Sequence, residues 1–396
     1  MSGMFLKEGK IMFKKSLTAV AVLGAFAGAA MASQVTMYGV VDTGLMYTYN
    51  DVADGNPATD LEVNKLALNS GINAVSRFGL KGTEDLGNGL KIGFKLENGF
   101  KADDGTFKTA GRLFDREASL SVYSDFGTLS MGRMGAVGSS AGTYDIVYLF
   151  GDAFDGGDNE VFGFVTSGRA DNMVTYQTPK FACVQGAFQY SFNQDGQEGN
   201  KSSLNNQVFA AAATGEFGAF NVVGAYEYTN RSAADRQVVR KDAQTIYLGG
   251  NYDCGFAKTF VLAQYFEGAS AAAGFDIKTE FKNTTDEYYA SAKGLKGYGL
   301  HVGTQVPVMA GTLTAAVYYV DGKLEGVKNA GETGPQKDND VSYIGASARY
   351  VYALSKRTEV YLGGGVAQAK IDEWNTNESD RKTFIGQAYT GLTHRF

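Results

Sequence analysis

The chain has 396 residues, a formal net charge of -6 and 44% apolar residues, which excludes a disordered chain. Only 2 His and 2 Cys leave little for zinc clusters, histidine-based catalysis or a disulfide scaffold. A mean hydropathy of -0.18, with no long apolar run beyond the N-terminus, excludes a bundle of membrane helices. The 52 Gly, 23 Tyr and 26 Phe, beside only 4 Pro, favour many strands and turns.

Residues 1–32 have the composition of an export signal. Lys14 and Lys15 precede an apolar stretch, and Ala30–Ala32 has the small-x-small pattern of a cleavage site. The alternative is a membrane anchor, for which this Ala- and Gly-rich stretch is short. Met12, just before the lysine pair, is a second candidate for the initiator. Cleavage would leave a more acidic chain without a basic stripe, which disfavours nucleic-acid binding.

After this segment, apolar and polar residues alternate with the period of β-strands. The pattern is clearest at 90–97, 219–229 and 343–354, where Glu97 and Arg349 lie on the polar faces. Each stretch therefore predicts a strand with one apolar and one polar side.

Short turns and long polar segments alternate between these strands. The predicted short turns are 85–89, 124–127, 178–181, 216–218, 252–255, 307–311 and 355–358. The predicted long loops are 50–72, 101–113, 134–170, 192–206, 230–241, 267–290, 322–339 and 370–381. Seven short turns and eight long loops predict sixteen antiparallel strands, with both termini on the short-turn side.

A membrane barrel gives a physical reason for keeping all long loops at one end. Lipid cannot satisfy backbone polar groups, so the strands must close on themselves, and sixteen of them enclose an aqueous channel. The sequence predicts an all-β fold: a 16-stranded antiparallel transmembrane β-barrel with short periplasmic turns and long extracellular loops. Tyrosines near strand ends fit interfacial girdles better than an ordinary β-core; they are Tyr47, Tyr49, Tyr226, Tyr228, Tyr350 and Tyr352.

Five passages carry a resemblance to a known family. They are VTMYGVVD (35–42), SRFGLKGTEDLGNG (76–89), DFGTLSMGR (125–133), YALSKRT (352–358) and the C-terminal GLTHRF (391–396). In content, order and spacing they resemble the trimeric general porins of beta-proteobacteria and Neisseria. The resemblance implies a homotrimer, and a third loop, here about 134–170, that folds into the barrel and narrows it.

The resemblance also implies arginines facing carboxylates at the narrow section. Arg77, Arg116 and Arg169 match the arginine cluster of the family. Strand periodicity independently points Arg77 and Lys81 inward, leaves the direction of Arg133 open, and would point Arg116 outward. Because arginine in lipid costs about 2–4 kcal/mol, Arg116 requires a bulge or a late strand start.

The acidic partners expected from the third loop are Asp145, Asp152, Asp155, Asp158 and Glu160. Charges of opposite sign across a narrow wet passage would select solutes by charge and size. The alternative is a solvated acidic loop away from the pore. The run 155–160 fits no standard calcium-loop spacing, so no metal and no cofactor is predicted.

The terminal Phe396 would, by the same resemblance, be read by the outer-membrane assembly machinery. Cys183 and Cys254 fall in turns four strands apart, so two free thiols are expected rather than a disulfide. No catalytic motif occurs in a usable context, and His301, expected to face the lumen, has no partner that spacing reveals.

The predicted function is a general porin that passes small hydrophilic solutes and ions across the outer membrane of a Gram-negative bacterium, without an enzymatic step. The predicted partners are outer-membrane lipid and lipopolysaccharide, the assembly machinery and the solutes, with no nucleic acid. The alternatives are a substrate-specific channel for sugars or dicarboxylates, an outer-membrane hydrolase and an adhesive barrel. A ladder of aromatic residues along the lumen would favour a substrate-specific channel, and the inward sets at 90–97 and 343–354 show none.

Overall fold

The computed structural model describes residues 33–53, 60–140, 142–154, 161–196, 198–278, 291–327, 336–372 and 380–396. The strands are β1 (Ser33–Ala53), β2 (Leu61–Ser70), β3 (Arg77–Gly87), β4 (Leu90–Gly99), β5 (Glu117–Ser124), β6 (Gly127–Gly135), β7 (Arg169–Gln177), β8 (Val184–Ser191), β9 (Gln207–Phe217), β10 (Phe220–Asn230), β11 (Ala243–Asp253), β12 (Lys258–Ala269), β13 (Ala271–Ala272), β14 (Phe275–Asp276), β15 (Gly294–Val308), β16 (Gly311–Val327), β17 (Lys337–Ala353), β18 (Thr358–Ile371) and β19 (Arg381–Arg395). One α-helix, α1 (Val147–Gly151), and two short 3₁₀ turns, Ser202–Leu204 and Asp235–Gln237, complete the described elements. Among the residues described, no helix has the length and apolarity needed to cross a bilayer.

Seventeen strands form one antiparallel sheet, which closes where β1 pairs with β19. β1 also pairs with two strands on its other side: β2 along its second half and β3 along its first. β2 and β3 are therefore two pieces of one interrupted strand. When they are counted as one, the barrel has sixteen strands. The predicted 16-stranded antiparallel barrel is confirmed.

The interruption between β2 and β3 is held by a buried carboxylate of β1. Gly71 leaves β2 with a φ of 74°, in the left-handed region that favours glycine. The backbone N–H of Ile72 then donates to Asp42 Oδ1 at 2.7 Å, and the hydroxyls of Tyr361 and Thr393 donate to the same carboxylate at 3.0 and 2.5 Å. A single side chain thus joins the break to β1, β18 and β19.

The predicted loop at 50–72 is wrong, because β1 continues to Ala53 and 61–70 is strand β2. The seven predicted short turns all lie between consecutive strands of the barrel. Two predicted loops, 322–339 and 370–381, are too long, since β16 runs to Val327 and β17 begins at Lys337. The upper ends of these strands carry polar residues, which in a sequence look the same as a loop.

The outer face of the barrel is apolar, as strand periodicity predicts. Along β17, Ile344 is 61% exposed on the outside while the neighbouring Tyr343 is 1% exposed on the inside. Leu362 on β18 and Val317 on β16 are likewise exposed on the outer face. Tyr49 packs against Phe384 there, with ring centroids 6.0 Å apart. These residues form the surface that contacts lipid.

The inner face differs from the predicted wet interior over half of the barrel. Apolar residues point inward from β9 to β18 and are buried together with the third loop. This inner core includes Tyr247, Leu262, Phe266, Leu295, Tyr318, Val320, Leu324, Val341 and Ala367. The inward set at 343–354 contains one aromatic residue, Tyr343, whose ring is buried and whose hydroxyl contacts the third loop.

The C-terminal residue Phe396 extends the pairing between the last strand and β1. The backbone N–H of Phe396 donates to the carbonyl of Gly39, and the N–H of Gly39 donates to the carbonyl of Phe396, both at 3.1 Å. The Phe396 ring lies directly over Gly39, where a Cβ atom would collide with it. Glycine is therefore required at this close approach.

A candidate pore between the third loop and a charged wall

The third loop crosses the inside of the barrel and is attached to its apolar half. α1 packs against the inner faces of β10, β11 and β12. The side-chain amide of Asn251 donates to the carbonyl of Phe150 at 2.8 Å, and the Tyr148 hydroxyl donates to the carbonyl of Val165 at 2.8 Å. Tyr343 donates its hydroxyl to the carbonyl of Val161. Burial and side-chain-to-backbone bonds together hold the loop in place.

A histidine of the barrel wall contacts an aspartate of this loop. His301 on β15 has no exposed side-chain surface, and its Nε2 lies 3.3 Å from Asp152 Oδ1. The backbone N–H of Ala153 donates to the same nitrogen at 3.3 Å. The prediction that His301 faces the lumen agrees with this position, and Asp152 is the neighbour that sequence spacing did not reveal. Residues about 150 positions apart in the chain make this contact, so spacing could not reveal it.

On its other side the loop borders a chamber with a water-accessible volume of about 1150 Å³. Its described lining has six basic residues, which are Arg77, Lys108, Arg116, Arg169, Arg349 and Arg395. It has four acidic residues, which are Asp115, Asp145, Asp152 and Glu359. The third loop contributes Phe154, Phe162 and Phe164 to the same lining.

Two of the predicted arginines share one buried carboxylate. Arg116 Nε lies 2.6 Å from Glu97 Oε1, and Arg77 Nε lies 3.8 Å from Glu97 Oε2. Tyr38 also donates its hydroxyl to Glu97, at 2.8 Å. Arg116 directly precedes β5, which begins at Glu117, so the late strand start turns its side chain inward.

Arg169 lines the same chamber from the start of β7 without a carboxylate partner. Within the described residues it forms no ion pair, and its buried Nε atom has no hydrogen-bond acceptor. Three other basic residues of the lining have carboxylate partners: Arg77 and Arg116 contact Glu97, and Arg395 lies 2.8 Å from Glu359. Arg169 is therefore a cation of the chamber wall that no described carboxylate contacts.

Two further predicted basic residues, Lys81 and Arg133, lie outside the chamber. The Lys81 ammonium lies 5.2 Å from the centre of the Tyr38 ring. Arg133 lies at a register shift of β6, where its guanidinium contacts Asp171 at 2.6 Å, and Asp171 also binds Arg112. These hydrogen bonds from Arg112 to Asp171 raise the pKa of Arg112 above its ordinary value. Neither Lys81 nor Arg133 belongs to the chamber lining described above.

The predicted acidic residues divide between the described and undescribed parts of the loop. Asp145 and Asp152 line the chamber. Asp155, Asp158 and Glu160 lie outside the described residues, as does the predicted signal at 1–32. Among the residues that the structure describes, no three His, Cys, Asp or Glu side chains are placed to ligate a metal ion. Cys183 and Cys254 are free thiols, as expected.

Sequence reasoning missed several charged residues of the site. Arg349 donates to the carbonyl of Phe154 at 3.1 Å and so connects β17 to the third loop. Glu117 accepts from Lys95 at 2.8 Å and from the Thr143 hydroxyl at 2.7 Å, which ties the start of the loop to the charged wall. Lys95, Glu117 and Arg349 lie in strands where polar and apolar residues alternate. This alternation could have predicted that their side chains point into the barrel. Their partners were not predictable, because they lie on distant segments.

A model of the Gram-negative porin family matches residues 19–372 of this chain. An outer membrane porin protein of Bordetella pertussis is 33% identical over 97% of this chain and 100% of its own length. The chain belongs to the Gram-negative porin family.

Further similarities agree with this assignment. Outer membrane porin protein 32 of Delftia acidovorans is 31% identical over 86% of this porin and 94% of its own length. The fold is also similar to that of an anion-selective porin from Comamonas acidovorans, with a TM-score of 0.60 and 24% identity, covering 92% of this chain and 100% of that one. The protein is an outer-membrane general porin, which lets small hydrophilic solutes and ions diffuse through a water-filled, charge-lined barrel.

Proposed function

We propose that solutes cross this porin between the third loop and the wall that carries Arg77, Arg116 and Arg169, and that the passage favours anions. One observation carries the proposal: Arg169 faces the chamber with no carboxylate partner among the described residues. Six basic and four acidic residues in the described lining favour the same sign. In a narrow passage with low-dielectric walls, such an imbalance concentrates anions.

The test is the reversal potential across a salt gradient in planar bilayers. Arg169→Gln removes the charge and is expected to shift the permeability ratio toward cations, by roughly two-fold or more. Arg236→Gln is the matched control, since Arg236 lies outside the chamber and pairs with Asp242. An unchanged reversal potential in Arg169→Gln, with normal conductance, would show that this arginine does not line the narrow section.

A homotrimer is the proposed assembly. β2 pairs with β1 along one edge only, level with the lipid-facing Leu45 and Tyr47, and no described strand pairs with its other edge. Unpaired backbone groups at this depth are costly in lipid, so a neighbouring copy would cover them. Leu66 and Leu68 extend outward beside this edge and are 67% and 54% exposed.

Replacing Leu66 and Leu68 together with Asn is expected to lower the trimer fraction on unheated gel electrophoresis of the detergent-solubilised porin. Leu362→Asn, on a lipid-facing position away from this edge, is the control. A trimer of undiminished stability in the double variant would place the interface elsewhere.

We propose that the porin has no enzymatic activity. Among the described residues, the feature that favours a hydrolase is the His301–Asp152 pair, and the His301 side chain is fully covered from solvent. Incubation of the purified porin with phospholipid and peptide substrates is expected to give no turnover. Turnover that is abolished by His301→Gln would establish the hydrolase instead, and saturation of conductance by one solute would establish a substrate-specific channel.

The remaining proposals concern export and surroundings. Residues 1–32 would be removed on export, so N-terminal sequencing of the mature porin should begin at Ser33. Phe396 would be read by the outer-membrane assembly machinery, and Phe396→Ala is expected to reduce the amount assembled in cells. Lipopolysaccharide is the proposed partner of the outer surface.

A further inference from the structure

Part of the connection between β12 and β15 turns into the barrel. Residues 270–277, which include the two-residue strands β13 and β14, form this inward segment. Its residues Ala272, Ala273, Phe275 and Ile277 are each at most 5% exposed and belong to the inner core. A loop that simply extends into solvent would not bury four apolar side chains. The barrel therefore contains a second inward element besides the third loop.

The tip of the inward segment reaches strands that lie beyond β15 and β16. A Cβ atom placed on Gly274 would lie 3.7 Å from both Tyr343 and Ile385, and 3.9 Å from the Cβ atom of Ala369. These three residues are buried on the inner faces of β17, β19 and β18, respectively. The inward segment thus extends through the interior from the end of β12 to the far part of the apolar wall.

The inward segment contacts the third loop at Gly163. The backbone N–H of Ala273 donates to the carbonyl of Gly163 at 2.7 Å. Gly163 has no room for a side chain, because a Cβ atom placed on it would lie 2.5 Å from the ring of Tyr343. The third loop is therefore held at this point between β17 and the inward segment.

The part of the third loop around Gly163 depends on such contacts. Residues 162–168 form neither helix nor strand, so the donors for their buried carbonyls come from elsewhere in the protein. Three alternate carbonyls accept from fixed donors; the pairs are Val161 with Tyr343, Gly163 with Ala273, and Val165 with Tyr148. Phe162 and Phe164 lie between these carbonyls and line the chamber. The bond from the inward segment is thus the central one of the three.

Space for a movement of the loop exists on the side away from the chamber. A second cavity, with a water-accessible volume of about 420 Å³, lies between residues 162–168 and the inner faces of β10 and β11. The inward segment forms another side of this cavity. Without its support, residues 162–168 could move into the cavity and away from the charged wall.

We propose that the inward segment sets the size limit of the porin, because it fixes how far Phe162 and Phe164 stand from the charged wall. The inference rests on the proposed passage between the third loop and that wall, and adds a determinant of solute size to those of charge. Ala273 and Phe275 act as positioning residues, since neither belongs to the described lining of the chamber.

The experiment compares the rates at which glucose, sucrose and raffinose enter liposomes that contain the purified porin. Phe275→Ala removes the largest side chain of the inward segment. It is expected to raise the raffinose rate several-fold relative to the glucose rate, because the passage widens. Phe260→Ala is the matched control: Phe260 is 3% exposed on the inner face of β12 and is not among the described residues of the inner core. Its ratio of rates should equal that of the unmodified porin.

A reversible crosslink separates positioning from a general loss of packing. Gly274→Cys with Ala369→Cys joins the tip to β18, since the two Cβ positions are 3.9 Å apart, within the range of a disulfide. In the Phe275→Ala background, oxidation of this cysteine pair is expected to restore the original ratio of sugar rates, and reduction to raise it again. A ratio that stays raised after oxidation would overturn the proposal.

An unchanged ratio in Phe275→Ala would also overturn it, since the inward segment would then serve packing alone. If Phe275→Ala does not fold, Phe275→Leu is measured, with a smaller shift expected in the same direction; no shift there would count against the proposal equally. Failure of the proposed passage gives a different result, namely an unchanged reversal potential in Arg169→Gln. Failure of the present inference leaves that reversal-potential shift in place.

Discussion

The two inner walls of this barrel are built on opposite principles. The wall from β9 to β18 is apolar and packed, with Tyr247, Leu262 and Tyr318 buried against the third loop. The wall from β3 to β7 is charged and borders the chamber, with Arg116 and Glu97 as its central ion pair; Arg349 of β17, Glu359 of β18 and Arg395 of β19 complete the charged lining.

The difference shows how a porin can be both rigid and wet. A loop crossing a water-filled barrel would lose much conformational entropy, and the apolar wall offsets this cost by burial. The charged wall cannot pack in the same way, because charged groups must stay hydrated or paired. Its residues are therefore held by ion pairs, and the space between loop and charged wall remains open.

The largest expected effect is on the charged wall. Glu97→Ala would leave Arg116 buried without its carboxylate, which is expected to lower the free energy of unfolding by about 3–5 kcal/mol. It should also strengthen the preference for anions, opposite in sign to Arg169→Gln. Urea unfolding in lipid vesicles and reversal potentials measure the two effects.

The control for Glu97→Ala is Asp85→Ala, at an exposed turn where Asp85 lies 3.8 Å from Lys91. Its effect should stay below about 1 kcal/mol. Equal effects of the two substitutions would mean that the buried ion pair does not stabilise the charged wall.

On the packed wall, Leu262→Ala is expected to lower the free energy of unfolding by about 3 kcal/mol, because it opens a cavity beside Gly151 of α1. The third loop should become more susceptible to protease. Val261→Ala, one residue away on the lipid face, is the control and should cost less, since Val261 is 45% exposed. A larger loss from Val261→Ala would contradict the packed-wall description.

A smaller effect is expected at the break between β2 and β3, which Asp42 holds. Asp42→Asn replaces a carboxylate that accepts from Ile72, Tyr361 and Thr393, and should cost about 1–3 kcal/mol. Hydrogen exchange should accelerate first at residues 71–76. Asp51→Asn, on the outer face of β1, should leave that exchange unchanged; protection retained in Asp42→Asn would show that the break is held by other contacts.

Most of the barrel could be predicted from the sequence. The alternation of apolar and polar residues along a strand and the length of the segments between strands are both local properties of the chain. The seven turns and the inward phase of Arg77 follow from such patterns. The late strand start required for Arg116 followed from the cost of placing arginine in lipid. Strand β2 was missed because its polar residues look like a loop, and the upper parts of β16 to β18 were missed for the same reason.

The sequence by itself determined a closed ring of sixteen strands, since the alternation of side chains and the punctuation between strands are encoded residue by residue. Only the tertiary structure decided which inner faces are dry, that Asp152 meets His301, and that Glu97 rather than the third loop pairs with Arg116. These contacts join residues far apart in the chain. Their partners depend on barrel register and on the path of one loop, which no local pattern specifies.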